Sequence, residues 1–226
     1  METGILSVVA TPIGNLEDIT LRALRILKEA DYVLCEDTRV TGKLLKHHGI
    51  AAKLRRYDAH ASERAHETII NDLKDGKRIA LVSDAGTPGI SDPGVMLVKS
   101  ARDAGISIEA IPGPSALTAA FSIAGIPGNN FAFLGFVPHK KGRQTFFESI
   151  GTYEMPVAFY EAPHRIMKTL ESLASLPAAE TFQVTIAREL TKLHEEVVSG
   201  TPSEVLQHFL DNSDRVRGEF VVFVYR

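Results

Sequence analysis

The sequence predicts an α/β fold made of two α/β domains, the first around a mostly parallel sheet and the second around a mixed sheet. Short apolar runs rich in β-branched residues alternate with amphipathic stretches through the first half, which indicates a parallel sheet covered on both faces. The segment I-P-G-P-S-A at 111–116 breaks any regular element, and a less regular alternation follows it. We therefore place the domains at residues 1–113 and 114–226, with a ligand cleft between them.

Hydrophobic periodicity gives the elements of the first domain. The run I-L-S-V-V-A-T at 5–11 is typical of a buried strand, and L-R-A-L-R-I-L-K-E-A at 21–30 places its apolar residues mostly on one helical face. Further strands are predicted at 32–37, 78–84 and 107–112, and further helices at 39–48, 62–75 and 93–104. In open α/β sheets, ligands bind beyond the carboxyl ends of the strands.

The second domain begins with a helix that Ser115 can cap and that runs to about Ala124. Strands are predicted at 131–136, 156–161, 181–187, 196–200 and 220–225, and helices near 142–150, 163–174 and 202–210. No helix separates the strands at 181–187 and 196–200, so we expect these two to pair antiparallel.

Composition excludes several classes of protein. The chain has 226 residues, enough for a substantial core, and its formal net charge of -3 gives no global nucleic-acid signature. Its single cysteine, Cys35, lies in an apolar run, which fits a buried residue in a reducing cytoplasm. The start of the chain lacks a basic segment, and no stretch approaches the roughly 20 apolar residues of a membrane span. We therefore expect a cytoplasmic protein without a membrane partner.

Turn-rich segments follow the predicted strands at 10–15, 83–94, 111–116 and 134–143. In a parallel sheet the first three lie on one edge and can converge on one ligand. Each could also be an ordinary turn that uses glycine and proline for backbone geometry. However, such turns span about 2 to 6 residues, and the loop at 83–94 is longer.

The long loop, S-D-A-G-T-P-G-I-S-D-P-G, differs from a phosphate-binding loop. It carries Asp84 and Asp92 and no lysine, and it has neither G-x-x-x-x-G-K-[ST] nor G-x-G-x-x-G spacing. Carboxylates would repel an anionic ligand. The loop therefore suits a neutral or cationic ligand better.

Charged segments also follow apolar strands: E-D-T-R at 36–39, Y-E-A-P-H-R at 160–165 and A-R-E-L-T-K-L-H-E-E at 187–196. Each can hold a catalytic group with its orienting partner, or only a solvated ion pair. Basic clusters at 43–48, 53–57 and 139–143 are either phosphate-binding surfaces or solvated faces. No metal-ligand pattern and no G-x-S-x-G elbow occur, so we expect no metal site and no serine hydrolase.

Taken together, these motifs resemble the rRNA-directed branch of the tetrapyrrole methylase superfamily of S-adenosylmethionine-dependent enzymes. The resemblance rests on V-V-A-T-P-I-G-N-L-E-D-I-T-L-R-A-L at 8–24, C-E-D-T-R at 35–39, the long loop, P-G-P-S-A, F-L-G-F-V-P-H-K-K-G-R, F-Y-E-A-P-H-R-I and A-R-E-L-T-K-L-H-E-E. It covers residues 5 to 225. Several long motifs in a fixed order make coincidence improbable.

The resemblance implies a homodimer that binds S-adenosylmethionine between its two domains and methylates the 2′-hydroxyl of a cytidine in 16S rRNA of the 30S subunit. By motif position it implies a set of cofactor-binding residues: Pro12, Ile13, Asp84, Ala85, Gly86, Thr87, Ile90, Ser115, Ala116, Tyr160, Ala187 and Arg188.

A ribose hydroxyl is a poor nucleophile, and a positioned base that takes its proton could add roughly 10² to 10⁴-fold to the rate. The candidates for that base are Glu36, Asp37, His60 and Glu189, and the candidates for orienting phosphate or carboxylate groups are Arg39 and Arg165. Two alternatives stay open. The protein could methylate a carbon of a tetrapyrrole ring, or it could be a non-catalytic RNA- or ligand-binding module of the same fold.

Overall fold

Two five-stranded sheets, one in each half of the chain, organise the protein. The computed structural model describes residues 4–58, 61–91 and 94–226. The chain divides into two compact units, Met1–Ser115 and Ala116–Arg226.

The first unit alternates strands and helices. Its strands are β1 (Ile5–Val9), β2 (Tyr32–Cys35), β3 (Leu54–Arg56), β4 (Arg78–Leu81) and β5 (Ser107–Ile111). Its helices are α1 (Leu21–Glu29), α2 (Thr38–His47), α3 (Glu63–Lys74) and α4 (Val95–Asp103), with a short 3₁₀ turn at Leu16–Asp18. The side chains of Thr20, Asp37 and Ser62 cap α1, α2 and α3, which explains why these helices begin where they do.

The first sheet has the strand order β3-β2-β4-β1-β5, and every neighbouring pair in it runs parallel. The predicted parallel sheet is therefore confirmed. Strand β3 is absent from the sequence prediction, because Leu54–Arg56 has only three residues and two of them are arginines. It pairs with β2 at the edge of the sheet, where a short strand with charged side chains is tolerated.

Helices cover both faces of this sheet. Leu27 of α1 belongs to a buried cluster with Val33 and with residues of α2. Leu73 of α3 belongs to a second cluster with Leu34 and with residues of α4. Successive residues of β2 thus point to opposite clusters, as the two-residue repeat of a strand requires.

The second unit contains α5 (Ala116–Ile123), β6 (Ala132–Phe136), α6 (Arg143–Ile150), β7 (Val157–Glu161), α7 (Pro163–Ala174), β8 (Gln183–Arg188), β9 (Glu196–Gly200), α8 (Pro202–Asp211) and β10 (Phe220–Tyr225). The strand order is β6-β7-β10-β8-β9. Strands β6 and β7 run parallel and the other pairs run antiparallel. The predicted mixed sheet is confirmed, including the antiparallel pair β8 and β9.

One face of the second sheet carries the main core of that unit. Phe159 of β7 and Phe220 of β10 are fully buried there beside Leu170 of α7 and Phe209 of α8. On the opposite face, the ring of Phe121 in α5 lies 5.9 Å from that of Phe223. Within the described ranges, no helix is both long and apolar enough to cross a membrane.

Candidate functional site

The carboxyl ends of β1, β2, β4 and β5 lie at one edge of the first sheet, because these strands are parallel. The segments that follow them are 10–15, 36–39, 82–91 and 112–115. These are the turn-rich and charged segments that the sequence marks as candidates. Hydrogen bonds join all four.

The loop after β4 is joined to the turn after β1 through Gly86 and Thr11. The Thr11 amide donates to the Gly86 carbonyl at 2.9 Å, and the Gly86 amide donates back at 3.0 Å. The Thr11 hydroxyl also donates to the carbonyl of Ser83 at 3.2 Å. Gly86 has a φ of +79°, a left-handed conformation that favours glycine, and Ile13 lies against it. The loop is therefore fixed at this point.

The same loop is joined to the segment after β5. The hydroxyl of Thr87 donates to the carbonyl of Pro114 at 3.0 Å. Close approach also requires Gly113, since a Cβ built there would lie 3.0 Å from the Cβ of Ala10. The segments after β1, β4 and β5 thus form one connected surface at the edge of the sheet.

Asp84 and Asp37 connect the segment after β2 to this surface. The backbone amide of Asp37 donates to Oδ1 of Asp84 at 3.1 Å. Asp84 is exposed, and it is the only charged side chain between Ser83 and Ser91. Asp92 and Pro93 lie outside the described residues. The described part of the loop therefore offers one carboxylate and no cation to a ligand.

Asp37 itself is the N-cap of α2 and is held by Arg39. Its Oδ1 accepts hydrogen bonds from the Arg39 amide at 2.8 Å and from Nε at 3.0 Å, and its Oδ2 accepts from Nη2 at 2.6 Å. The hydrogen bonds from the side chain and backbone of Arg39 hold the pKa of Asp37 well below its ordinary value. A carboxylate of lowered pKa is a weak base, so this geometry suits a structural role for Asp37 better than proton transfer.

The other candidates of the first unit surround the same edge. Glu36 is half-buried and directly precedes Asp37. Pro12 is buried, whereas Ala85 and Ile90 of the long loop are exposed. Ser115, at the end of the unit, is half-buried. His60 lies outside the described residues.

In the second unit, the sheet register places Tyr160 and Ala187 on the same face of the sheet. Both pair with Val221, Tyr160 from β7 and Ala187 from β8. Directly paired residues point to the same side of a sheet, so these two lie on one face, about 10 Å apart across β10. The ring of Tyr160 lies 5.0 Å from that of Phe133 and 5.3 Å from that of Phe136. Ala116, also predicted as a cofactor residue, is the first residue of α5.

Arg188 is buried at the end of β8 and is bound to the segment that follows it. Its Nη1 donates to the carbonyl of His194 at 3.1 Å and to Oε2 of Glu196 at 3.0 Å. Its buried Nε has no hydrogen-bond partner among the described residues. Glu196 also pairs with Arg215, and the three charged side chains line a cavity of about 490 Å³.

Glu189 follows Arg188 with a φ of +50° and accepts a hydrogen bond from Nζ of Lys192 at 2.7 Å. This contact is partly exposed. Glu189 is therefore tied to its own loop, and its carboxylate already has a cationic partner.

A buried carboxylate that is absent from the predicted site residues organises the basic loop at 137–143. Glu161 is fully buried, and its Oε1 accepts from Nε of Arg165 at 2.6 Å while its Oε2 accepts from Thr169 at 2.6 Å. Arg143 donates to Thr169 at 2.9 Å. Arg165 also donates to the carbonyl of Val137 at 2.5 Å. Arg165 therefore has a structural role, and the sequence signals for this cluster are the motif Y-E-A-P-H-R and the basic segment at 139–143.

Several arginines of the predicted basic clusters are therefore paired with other side chains of the fold. Besides Arg143, Arg55 stacks on Tyr32 with its Cζ 3.7 Å from the ring centroid, and it donates to Asp72 at 3.0 Å. Arg56 pairs with Asp58 at 2.7 Å. Within residues 4–58, 61–91 and 94–226, no group of three or more His, Cys, Asp or Glu side chains is placed to hold a metal ion.

Comparison with known proteins shows where this architecture occurs. The family model of the Tetrapyrrole (Corrin/Porphyrin) Methylases matches residues 6–206. The chain is 46% identical over 224 residues to the "Ribosomal RNA small subunit methyltransferase I" of Halalkalibacterium halodurans, covering 99% of this chain and 76% of that protein. It is 44% identical over 206 residues to the protein of that name from Thermotoga maritima, covering 91% and 92%.

Solved structures with this fold are more distant in sequence. Cobalt precorrin-4 methyltransferase, a cobalamin biosynthetic enzyme, superposes with a TM-score of 0.71 at 18% identity, covering 97% of this chain and 94% of that chain. Uroporphyrin-III-C-methyltransferase from Thermus thermophilus superposes with a TM-score of 0.63 at 19% identity and the same coverage. At these identities the likeness shows the fold alone.

Proposed function

The chain belongs to the tetrapyrrole methylase family, and from this premise we propose that it transfers a methyl group from S-adenosylmethionine to the ribose 2′-hydroxyl of a cytidine in 16S rRNA. The observation that carries the proposal is the 46% identity, over 99% of the chain, to a protein named as a small-subunit rRNA methyltransferase. The substrate is the 30S subunit, the protein acts in the cytoplasm, and its working form is a homodimer.

The loop after β4 fits S-adenosylmethionine by its chemistry. That cofactor carries a sulfonium and an ammonium group and no phosphate, so a carboxylate near it is favourable and a lysine is unnecessary. The described loop offers Asp84 and no cation, and the paired amide and carbonyl groups of Gly86 and Thr11 hold its backbone in place. We assign Pro12, Ile13, Asp84 and the loop residues that follow it to the cofactor site.

S-adenosylmethionine supplies an already activated methyl group, so the protein needs no covalent nucleophile. What the chain must do is hold the ribose oxygen in line with the bond that breaks, which can supply a large part of the rate. The four connected segments at the edge of the sheet provide a rigid surface for that purpose.

Glu36 is our candidate for the base that takes the ribose proton. Asp37 is disfavoured because Arg39 lowers its pKa, and Glu189 is disfavoured because Lys192 binds its carboxylate. Glu36 is half-buried at the start of the segment that Asp84 holds.

The proposed function is tested by incubating the protein with methyl-labelled S-adenosylmethionine and 30S subunits. We expect one label per subunit, located on a ribose 2′-oxygen after nuclease digestion. Binding of the cofactor without transfer would instead identify a non-catalytic module. Transfer to a uroporphyrinogen-type ring, with none to 30S subunits, would identify a tetrapyrrole enzyme.

A further inference from the structure

Helix α2 has one exposed face that carries cationic and neutral side chains only. Arg39, Lys43, Lys46 and His47 are all exposed and are spaced four, three and one residues apart, which places them on one side of the helix. The opposite side packs into the core through residues that include Leu44 and Leu45. The helix contains no acidic residue. We refer to Arg39, Lys43, Lys46 and His47 as the cationic face.

The lysines of this region differ from its arginines in their contacts. The side chains of Lys43, Lys46 and Lys53 make no hydrogen bond or ion pair with any residue in the described parts of the chain. By contrast, Arg55 and Arg56 each pair with an aspartate. The basic clusters seen in the sequence therefore separate into arginines that stabilise the fold and lysines whose charge is available to a partner.

The cationic face begins at the candidate site. The backbone amide of Asp37, the N-cap of α2, donates a hydrogen bond to Asp84. The first turn of the helix therefore lies next to the cofactor loop. Ten residues of helix then extend about 15 Å away from that edge of the sheet. Lys53 directly precedes β3, the edge strand against which α2 packs. Positive charge thus continues from the site along the border of the sheet, first at Arg39, which pairs with Asp37, and then at the lysines of α2.

We propose that the cationic face and Lys53 bind backbone phosphates of the rRNA that flanks the methylated ribose. This inference rests on the proposed function, which makes an rRNA the substrate. Lysine is a flexible point charge that suits phosphate contacts, and such contacts fix the register of a nucleic acid without reading its sequence. A chain of net charge -3 has no general attraction for RNA, so binding requires a local surface of this kind.

Stabilisation of the helix itself explains only some of the residues of the cationic face. Cations near the end of a helix interact favourably with its dipole, which explains Lys46. It does not explain Lys43 in the middle of the helix. The carboxylates of Glu17 and Asp18 follow Leu16, whose carbonyl contacts His48 just after the helix. Lys43 therefore carries the proposal more strongly than the residues of the last turn.

The test is a pair of double variants that remove the same charge from different places. Lys43→Gln with Lys46→Gln neutralises the cationic face. Lys28→Gln with Lys74→Gln is the matched control, because these lysines are exposed in the last turns of α1 and α3. Binding to 30S subunits and to protein-free 16S rRNA is measured from 50 to about 200 mM salt, beside methylation kinetics and the affinity for S-adenosylmethionine.

We expect the first variant to bind both substrates roughly tenfold more weakly at low salt and to lose about two units of the slope of log affinity against log salt. Its affinity for S-adenosylmethionine and its kcat at saturating 30S are unchanged, and the control binds like the wild type.

Equal binding by the two variants would overturn the proposal. Weaker binding to 30S with unchanged binding to protein-free rRNA would also overturn it, since the face would then contact a ribosomal protein. Absence of methyl transfer by the wild type would reject the proposed function instead, and the binding data would still decide the inference.

Discussion

At the scale of single residues, Asp84 is the side chain on which the cofactor assignment depends most. Asp84→Ala removes the one charge between Ser83 and Ser91 and the acceptor of the Asp37 amide. A hydrogen bond to a charged group contributes about 1.5 to 3 kcal/mol, so we expect affinity for S-adenosylmethionine to fall by roughly 10- to 100-fold in calorimetry.

Two controls accompany the Asp84 variant. Asp84→Asn keeps an oxygen for the Asp37 amide and removes only the charge, so a similar loss indicates that the charge is what binds. Asp75→Ala removes an exposed carboxylate at the end of α3 and leaves affinity unchanged. Wild-type affinity in Asp84→Ala would exclude this loop from the cofactor site.

Glu36 and Asp37 are adjacent carboxylates for which different roles are predicted. Glu36→Gln removes the proposed base, and we expect kcat to fall by about 10² to 10⁴-fold with little change in cofactor affinity. Asp37→Asn keeps a capping oxygen at the start of α2 and removes only the charge that pairs with the exposed Arg39, so we expect little change in stability and a smaller reduction of kcat. Stopped assays at saturating 30S compare the two. A larger loss of kcat in Asp37→Asn would reverse the assignment.

The sequence identifies where charged residues follow strands, but it does not show which of them pair. The candidates Asp37, Arg165 and Arg188 all prove to be held by neighbours, Arg188 by a carboxylate eight positions later. Such pairs depend on strand register and on side-chain direction, which are set only when the sheet forms. This is why the convergence of the loops could be predicted from the sequence and the individual side-chain roles could not.

At the scale of elements, Asp72 of α3 connects the strands at the edge of the first sheet. It accepts hydrogen bonds from Tyr32 of β2 at 2.8 Å, from Arg55 of β3 at 3.0 Å and from Lys77 at 2.5 Å. Burial alone would raise the pKa of Asp72, but these three hydrogen bonds lower it below its ordinary value. The ionised carboxylate is therefore the form that stabilises this edge.

A pH dependence of stability follows from the lowered pKa of Asp72. A group whose pKa is lower in the folded state contributes stability above its unfolded pKa, about 3.9 for aspartate, and loses it as the pH falls through the folded value. Urea unfolding should show the wild type losing stability below about pH 4, and Asp72→Asn should give a flatter curve there. Asp75→Asn, on the same helix, is the control. Parallel curves for Asp72→Asn and the wild type would refute the link.

The buried ion pairs of Glu161 form the corresponding connection in the second unit. Glu161→Gln leaves Arg143 and Arg165 without a buried negative charge, and breaking such a pair costs about 3 to 5 kcal/mol in the free energy of unfolding. Glu148→Gln on α6 removes an exposed carboxylate and should cost little. Chemical denaturation measures both. A loss below about 1 kcal/mol in Glu161→Gln would show that the cluster is not essential to the loop at 137–143.

The elements themselves were largely predictable, because most of them bury a regular apolar pattern. The predicted antiparallel pairing of β8 and β9 is confirmed. It could be predicted because no helix lies between the two apolar runs. Strand β3 shows the limit of this approach. Its extended conformation depends on pairing with β2 rather than on its own three residues. No local sequence pattern therefore predicts it.

At the scale of the whole molecule, the composition is that of an ordinary globular protein, and the charge that we assign to RNA binding is confined to a local surface. Its net charge of -3 gives no general attraction for RNA, yet the lysines of one helix face place positive charge beside the loops assigned to the cofactor. Similarity over 99% of the chain to a named rRNA methyltransferase supports the same substrate. The central claim is therefore that one ribose of 16S rRNA is methylated by this protein.

That claim is tested most directly by mass-spectrometric mapping of 16S rRNA from cells that lack the protein. The account predicts that one cytidine loses its 2′-O-methyl group while the other modifications are retained, and that the wild-type gene restores the modification whereas a Glu36→Gln gene does not. An unchanged 2′-O-methylation map in the deletion strain would contradict it.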